Sequence, residues 1–152
     1  MCGIVGIWER GPADPLQREH LVRGAMSALQ HRGPDASGVW SSTGAPVTFG
    51  YRRLSVIDVS PLGHQPMRDR SGRYVITFNG EIYNFAEVRG ELESRGACFR
   101  SRSDTEVLLE GFAQWGPSVL ERLVGQFAFA IWDDEERRLF LARDRFGEKP
   151  LY

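Results

Sequence analysis

Met1-Cys2-Gly3-Ile4-Val5-Gly6-Ile7-Trp8 opens the chain, and residues 3–9 read as a short strand with no polar position before Glu9. A continuous apolar run of this length is the pattern of a strand buried on both faces. Cys2 stands at its lip. Removal of Met1 would leave one residue carrying both a thiol and a free α-amine. A thiol attacks as its thiolate and has an ordinary pKa of about 8.5. An α-amine, with a pKa of about 7.7–8.0, can take up that proton near neutral pH. Nucleophile and base would then belong to the same residue. The plain alternative is that Cys2 is a small apolar residue at the start of an edge strand.

Working outward, Gly11-Pro12 breaks the strand, and residues 15–30 space Leu21, Val22, Ala25, Met26 and Leu29 as a helix. His31-Arg32-Gly33-Pro34-Asp35 reads as a loop. Residues 38–41 and 47–54 read as strands, 58–66 as a long Pro- and Gly-bearing loop, and 73–79 as a strand. A helix is predicted over 84–96, with Gly96 as its stop, and a short strand over 99–102. Ser103-Asp104-Thr105-Glu106 has the form of a capping box opening a helix that runs to Trp115-Gly116. A short helix over 117–123 and a hairpin of 124–133 with 137–143 complete the chain. Phe127, Phe129, Ile131 and Trp132 are predicted core. Strands outnumber helices and pair by hairpin, so the sheets should be largely antiparallel, with helices covering outer faces.

With 152 residues, 41% hydrophobic and 26% charged, the chain suits one globular domain with a real core. A net charge of −1 lacks the basic excess that nucleic-acid or membrane-surface binding needs, so neither partner is expected. Two distant cysteines and three unpatterned histidines give no disulfide framework and no metal site. There is no signal peptide and no apolar stretch long enough for a membrane helix, so the expected location is the cytoplasm.

Six segments carry the chemistry: MCGIVGIW (1–8), HRGPD (31–35), RRLSVID (52–58), FNGEIYN (78–84), SDTEVLL (103–109) and LARDRFGEKPLY (141–152). In this order and spacing they resemble the N-terminal glutaminase domain of glutamine-dependent asparagine synthetases. These are class II glutamine amidotransferases of the N-terminal-nucleophile hydrolase type. The resemblance covers nearly the whole chain, and RLSVID, FNGEIYN and RDRFGEKPLY point to the asparagine synthetase branch. It implies an α+β, four-layer α/β/β/α sandwich of two antiparallel sheets. Residues 1–152 are expected to be a glutaminase domain whose last strands, and a synthetase domain after them, lie beyond Tyr152.

The resemblance makes Cys2 the nucleophile and assigns Asn79 and Gly80 to the oxyanion hole. A side-chain amide and the N–H of a following glycine are a suitable donor pair for the tetrahedral oxyanion. Read locally, Asn79-Gly80 could equally be a tight turn. Free glutamine also needs a fixed cation and a fixed anion. The pattern gives its carboxylate to Arg53, whose guanidinium can grip it in bidentate fashion, with Leu54, Val56 and Ile57 as adjacent wall. It gives the ammonium to Asp104, helped by Glu81 through its backbone. Asp104 would also be favoured by the helix dipole alone. The HRGPD loop and Arg143-Asp144-Arg145 read as solvated faces or ion-pair networks, and His64-Gln65-Pro66-Met67 as loop structure in a position to help cover the glutamine pocket.

The expected activity is hydrolysis of L-glutamine to glutamate and ammonia through a Cys2 thioester. By resemblance, the ammonia would amidate aspartate to asparagine in a synthetase domain. ATP and magnesium are expected only there; no cofactor is expected here, and no Gly-rich nucleotide loop is present. A homo-oligomeric parent enzyme is left open. The alternatives are a related enzyme amidating another carboxylate, an inactive glutamine-binding fragment, or a different N-terminal-cysteine amide hydrolase. The last would have no use for both Arg53 and Asp104.

Overall fold

The structure is a computed structural model that describes residues 2–9, 11, 14–55, 58 and 60–152. Its elements in chain order are β1 (Gly3–Trp8), α1 (Pro15–Ala28), β2 (Ala36–Ser41), β3 (Val47–Arg53), β4 (Met67–Arg68), β5 (Tyr74–Ile82), α2 (Phe85–Ser94), α3 (Asp104–Trp115), β6 (Gly125–Asp133) and β7 (Arg138–Arg143). Short 3₁₀ turns cover Gln30–Arg32, Pro61–Gly63 and Gly116–Glu121. One sheet has the order β1-β3-β2 and the other β4-β5-β6-β7, and every pairing is antiparallel.

Period-2 alternation fixes the layers. On β3, Val47 and Phe49 point to the second sheet, where they meet Val75, Ala130 and Trp132 in an apolar inter-sheet core. The opposite face of β3 carries α1, whose Val22 and Met26 lie over Gly50. On the second sheet, Ile76, Phe78 and Ile82 of β5 and Phe127, Phe129 and Ile131 of β6 turn outward. They pack there against Val88 and Leu92 of α2 and Val107, Leu108 and Phe112 of α3. The result is the α/β/β/α sandwich.

Several local expectations differ from the structure. Among the described residues the strand buried on both faces is β6, where every residue from Phe127 to Asp133 is buried, whereas β1 is partly exposed. β1 pairs only with β3 among the described residues, and Trp8 is 52% exposed. It lies beside a groove shared with Leu139, Leu141 and Leu151. Helix α1 buries Arg18, Val22 and Met26, leaving Leu21 exposed. Val22 and Met26 of the predicted apolar face are buried while Leu21 and Ala25 are exposed, and buried Arg18, which reaches Glu9 at 3.7 Å, completes the inner face. No strand forms over 99–102, and β4 was not anticipated. The capping box is half made. Ser103 accepts the Glu106 N–H at 3.2 Å, but the Glu106 carboxylate accepts the amides of Arg100 (2.9 Å) and Ser101 (2.7 Å). Strand β5 runs three residues beyond the expected end, so Asn79-Gly80 is paired strand, opposite Ala128 and Phe127, and not a turn.

Candidate active site

The inter-sheet core turns polar at one end. Along β3 the same face reads Val47, Phe49, Tyr51, Arg53; along β5 it reads Val75, Thr77, Asn79. The apolar members fill the core, and Tyr51, Arg53 and Asn79 open into a cavity of about 210 Å³. Cys2, Leu54, Gly80, Glu81 and Asp104 also line it. The volume falls below the roughly 300–1,000 Å³ of drug-sized pockets, and suits a small metabolite. Val56, Ile57 and Met1 lie outside the described residues.

Cys2 is half-buried and its thiol is free. Its Sγ accepts the Tyr51 phenol O–H at 2.9 Å and the Leu54 N–H at 3.4 Å. The Cys2 carbonyl accepts Arg32 Nε at 3.2 Å. In the same loop, a Cβ on Gly33 would lie 2.4 Å from the Arg52 carbonyl carbon, so only glycine lets the loop lie against β3. Asp35 accepts the Ser55 N–H at 2.8 Å. The HRGPD loop, expected as a solvated charge cluster, thus clamps the chain on either side of Cys2 and Leu54.

Arg53 is buried beneath the loop that follows it. Its guanidinium donates to the carbonyls of Ser60, at 2.9 Å, and Asp58. No ion pair among the described residues involves it. Asp104 is also buried and also lacks an ion-pair partner among the described residues; it accepts the Ile82 N–H at 3.0 Å. Burial pushes its carboxyl up to about 6, against the pull of that N–H. A buried cation and a buried anion, each without a counter-ion, therefore line one cavity. Such charges are costly unless something pairs with them.

The β5 edge supplies donors. Strand β4 is two residues long, so beyond Ile76 the outer edge of β5 has no ladder partner among the described residues. Phe78 N–H donates to Gln65 Oε1 at 2.6 Å, and Ile82 N–H to Asp104. Gly80 lies midway between them, and alternation turns its N–H to the same edge. Its cross-strand neighbour Phe127 is committed to the other side, giving its carbonyl to Asp144 N–H at 2.8 Å and its own N–H to Asp144 Oδ2 at 3.2 Å. A Cβ on Gly80 would sit 2.3 Å from the Gln126 carbonyl oxygen. Asn79 is 6% exposed, and its side-chain amide has no hydrogen bond among the described residues. The same alternation puts the N–H and C=O of Glu81 in the β6 ladder, and its side chain is exposed at the cavity.

Sequence reasoning left several groups in and around the cavity without a role. Tyr51 reads as one more aromatic on a strand. Gln65 is buried and bridges Phe78 and Thr105, donating to Thr105 Oγ1 at 3.1 Å. Lys149 donates to Gln126 Oε1 at 2.8 Å, and both face the cavity. Asp144, expected in a solvated face, is buried and gathers the amides of Phe127, Phe146, Glu148 and Lys149, which orders the turn that brings Lys149 in. Burial works against its charge, but these amides prevail and pull its carboxyl down to about 2.

The glutamine amidotransferase domain family matches residues 1–152. A putative asparagine synthetase (glutamine-hydrolyzing) of Mycobacterium tuberculosis is 45% identical across 100% of this chain and 25% of its own length. Asparagine synthetase (glutamine-hydrolyzing) 1 of Bacillus subtilis is 44% identical across 100% of this chain and 24% of its own. The chain spans about a quarter of these curated relatives. The glutamine phosphoribosylpyrophosphate amidotransferase of Bacillus subtilis superposes with a TM-score of 0.74 over 93% of this chain and 37% of that one; at 22% identity it shares the fold. With the match running the full 152 residues, the chain belongs to the glutamine amidotransferase domain family.

Proposed function

We propose that this chain hydrolyses L-glutamine to glutamate and ammonia, with Cys2 as nucleophile once Met1 is removed. One observation carries the reading. A thiol, an uncommitted amide and edge N–H, and two buried opposite charges without counter-ions line one small cavity. A zwitterionic amino acid with a side-chain amide supplies a partner for each. Its carboxylate pairs with Arg53 and its ammonium with Asp104. The Cys2 α-amine takes the thiol proton, and the thiolate attacks the amide carbon. Asn79 and the Gly80 N–H hold the oxyanion. Collapse expels the amide nitrogen, which leaves as ammonia with the proton returned from the α-ammonium. Water, giving its proton to the same amine, then attacks the γ-glutamyl thioester and releases glutamate and the free thiol. Cys2→Ala should abolish this turnover and leave the fold intact, because only a small side chain is lost; retained turnover would refute the assignment.

Residues 1–152 act in this proposal as the glutaminase part of a longer enzyme, and the nitrogen acceptor is aspartate, amidated to asparagine with ATP and magnesium in a further region. Its support is the 44–45% identity to asparagine synthetases. Transfer of label from glutamine amide nitrogen to asparagine by the full-length protein tests the acceptor, and label in a different amide would replace it. The reaction belongs in the cytoplasm on this reading, where Cys2 and Cys98 stay reduced. Among the described residues no helix is long and apolar enough to cross a membrane.

A further inference from the structure

We propose that Tyr51 is a further catalytic residue of this site, whose phenol O–H donates to the Cys2 sulfur and holds it as the attacking thiolate. The proposal rests on the glutaminase reading above. Tyr51 occupies the third place of the row Val47, Phe49, Tyr51, Arg53, just where β3 leaves the apolar core. Its residue neighbours across the sheet are Ile4 on β1 and Gly38 on β2. Packing at this place asks only for an aromatic ring. A hydroxyl added to a buried ring costs free energy unless a good acceptor meets it. Tyr51 is 3% exposed, and the one hydrogen-bond partner of its Oη among the described residues is Cys2 Sγ, at 2.9 Å.

A neutral thiol is a weak acceptor and would satisfy that hydroxyl poorly; a thiolate satisfies it well. The Leu54 N–H approaches the same sulfur at 3.4 Å. The neutral thiol also donates to the Leu54 carbonyl, at a long 3.6 Å, a contact that is lost on ionisation, whereas the two donors at 2.9 and 3.4 Å favour the anion. The phenol keeps its own proton, because burial, and after it the adjacent Cys2, push its ionisation well above the usual tyrosine range. Arg53 on the same strand face pulls the other way, and Asp104 at the start of α3 adds to the upward push. No proton leaves Tyr51 during attack. The thiol proton goes to the Cys2 α-amine, the O–H···S bond strengthens as sulfur gains charge, and it relaxes as the sulfur electron pair forms the bond to the amide carbon.

A hydrogen bond to a thiolate has two opposed effects on rate. It enlarges the thiolate fraction, and it lowers the nucleophilicity of each thiolate by about the square root of that gain. Loss of one hydrogen bond to a charged acceptor changes the fraction about tenfold. Alkylation of Cys2 by iodoacetamide in Tyr51→Phe should therefore be about threefold slower below the midpoint of its pH profile and about threefold faster on the high-pH plateau, so the two profiles cross. Exposed Cys98, in the loop after α2, is the internal reference and should not change. Glutamine turnover near neutral pH should fall about threefold to tenfold, with KM within about twofold.

Superimposable alkylation profiles, or a uniform slowing without a crossing, would overturn the proposal and leave Tyr51 as packing. Retained turnover in Cys2→Ala would instead overturn the glutaminase reading, a result separate from the alkylation profiles. Should Tyr51→Phe fail to fold, ultraviolet titration of the unsubstituted protein decides. Thiolate absorbance must rise before any tyrosinate absorbance, and the two rising together would overturn the proposal.

Discussion

Asp104→Asn should stabilise the unliganded protein while it damages glutamine use. Asp104 is 4% exposed, and its carboxyl is raised from an ordinary 3.8 to about 6 by burial. A raised folded-state pKa means the folded protein keeps its proton where the unfolded chain has lost it. Between about pH 4 and 6 the native state binds more protons than the unfolded state, so stability falls as pH rises through that window and stays low above it. Roughly two pH units correspond to about 3 kcal/mol. Asparagine keeps an oxygen to accept the Ile82 N–H but cannot ionise. It forfeits about 0.3–1 kcal/mol of favourable charge at the α3 N-terminus. The net gain at pH 7 should be about 2 kcal/mol, shrinking toward zero near pH 4. Urea denaturation of both proteins across that range measures it. The same substitution leaves the substrate ammonium unpaired, which at about 2 kcal/mol or more is a KM increase of about 30-fold or greater. In the unsubstituted protein kcat/KM should fall as pH drops through about 6, and that limb should be missing in Asp104→Asn. A variant that is less stable at pH 7, or that binds glutamine as tightly as the parent, would refute the reasoning.

Asn79→Ala removes an oxyanion donor and should lower kcat by about 10²–10³ with a smaller change in KM; a loss confined to KM in steady-state assays would make Asn79 a substrate-positioning group only. Arg53→Ala should raise KM for glutamine far more than for an amide lacking the α-carboxylate, and equal effects on the two substrates would remove Arg53 from carboxylate binding. Asp144, whose four amide partners hold it at about 2, contributes stability that is full above about pH 4 and is lost as pH falls toward 2. Asp144→Asn should flatten that acid limb and lower stability at neutral pH, both visible in acid and urea unfolding curves.

The parts of this fold legible in sequence were those written in period and punctuation. Gly96, with φ +92°, stops α2 where expected, and Gly116, with φ +58°, stops α3. The core positions Phe127, Phe129, Ile131 and Trp132 are all buried. Apolar character without pairing order misled the reading at the N-terminus. Residues 3–9 look more buried than β1 is among the described residues, where it pairs with β3 alone, because sequence does not give the pairing order. Asn79-Gly80, at the end of the strand read over 73–79, admits a turn as well because Asn-Gly is a strong hairpin signal. There Gly80 serves the close approach of β6 instead. The chemically loud residues of the site, Cys2, Arg53, Asn79 and Asp104, could be named from motifs. Tyr51, Gln65 and Lys149 could not, since a strand aromatic, a loop amide and a C-terminal lysine acquire a role only when the sheets face each other. Asp144 and Arg32 were misread for a similar reason. Their partners are backbone groups, which leave no trace in side-chain pattern.

The central claim, that Cys2 is an N-terminal nucleophile in a glutamine-shaped pocket, is tested most directly by intact and N-terminal peptide mass after reaction with a glutamine-like diazoketone. The account predicts a chain that begins at Cys2 and carries one adduct, located on Cys2, blocked by excess glutamine and absent from exposed Cys98. An active protein that retains Met1, or an adduct on Cys98 with Cys2 unmodified, would contradict it.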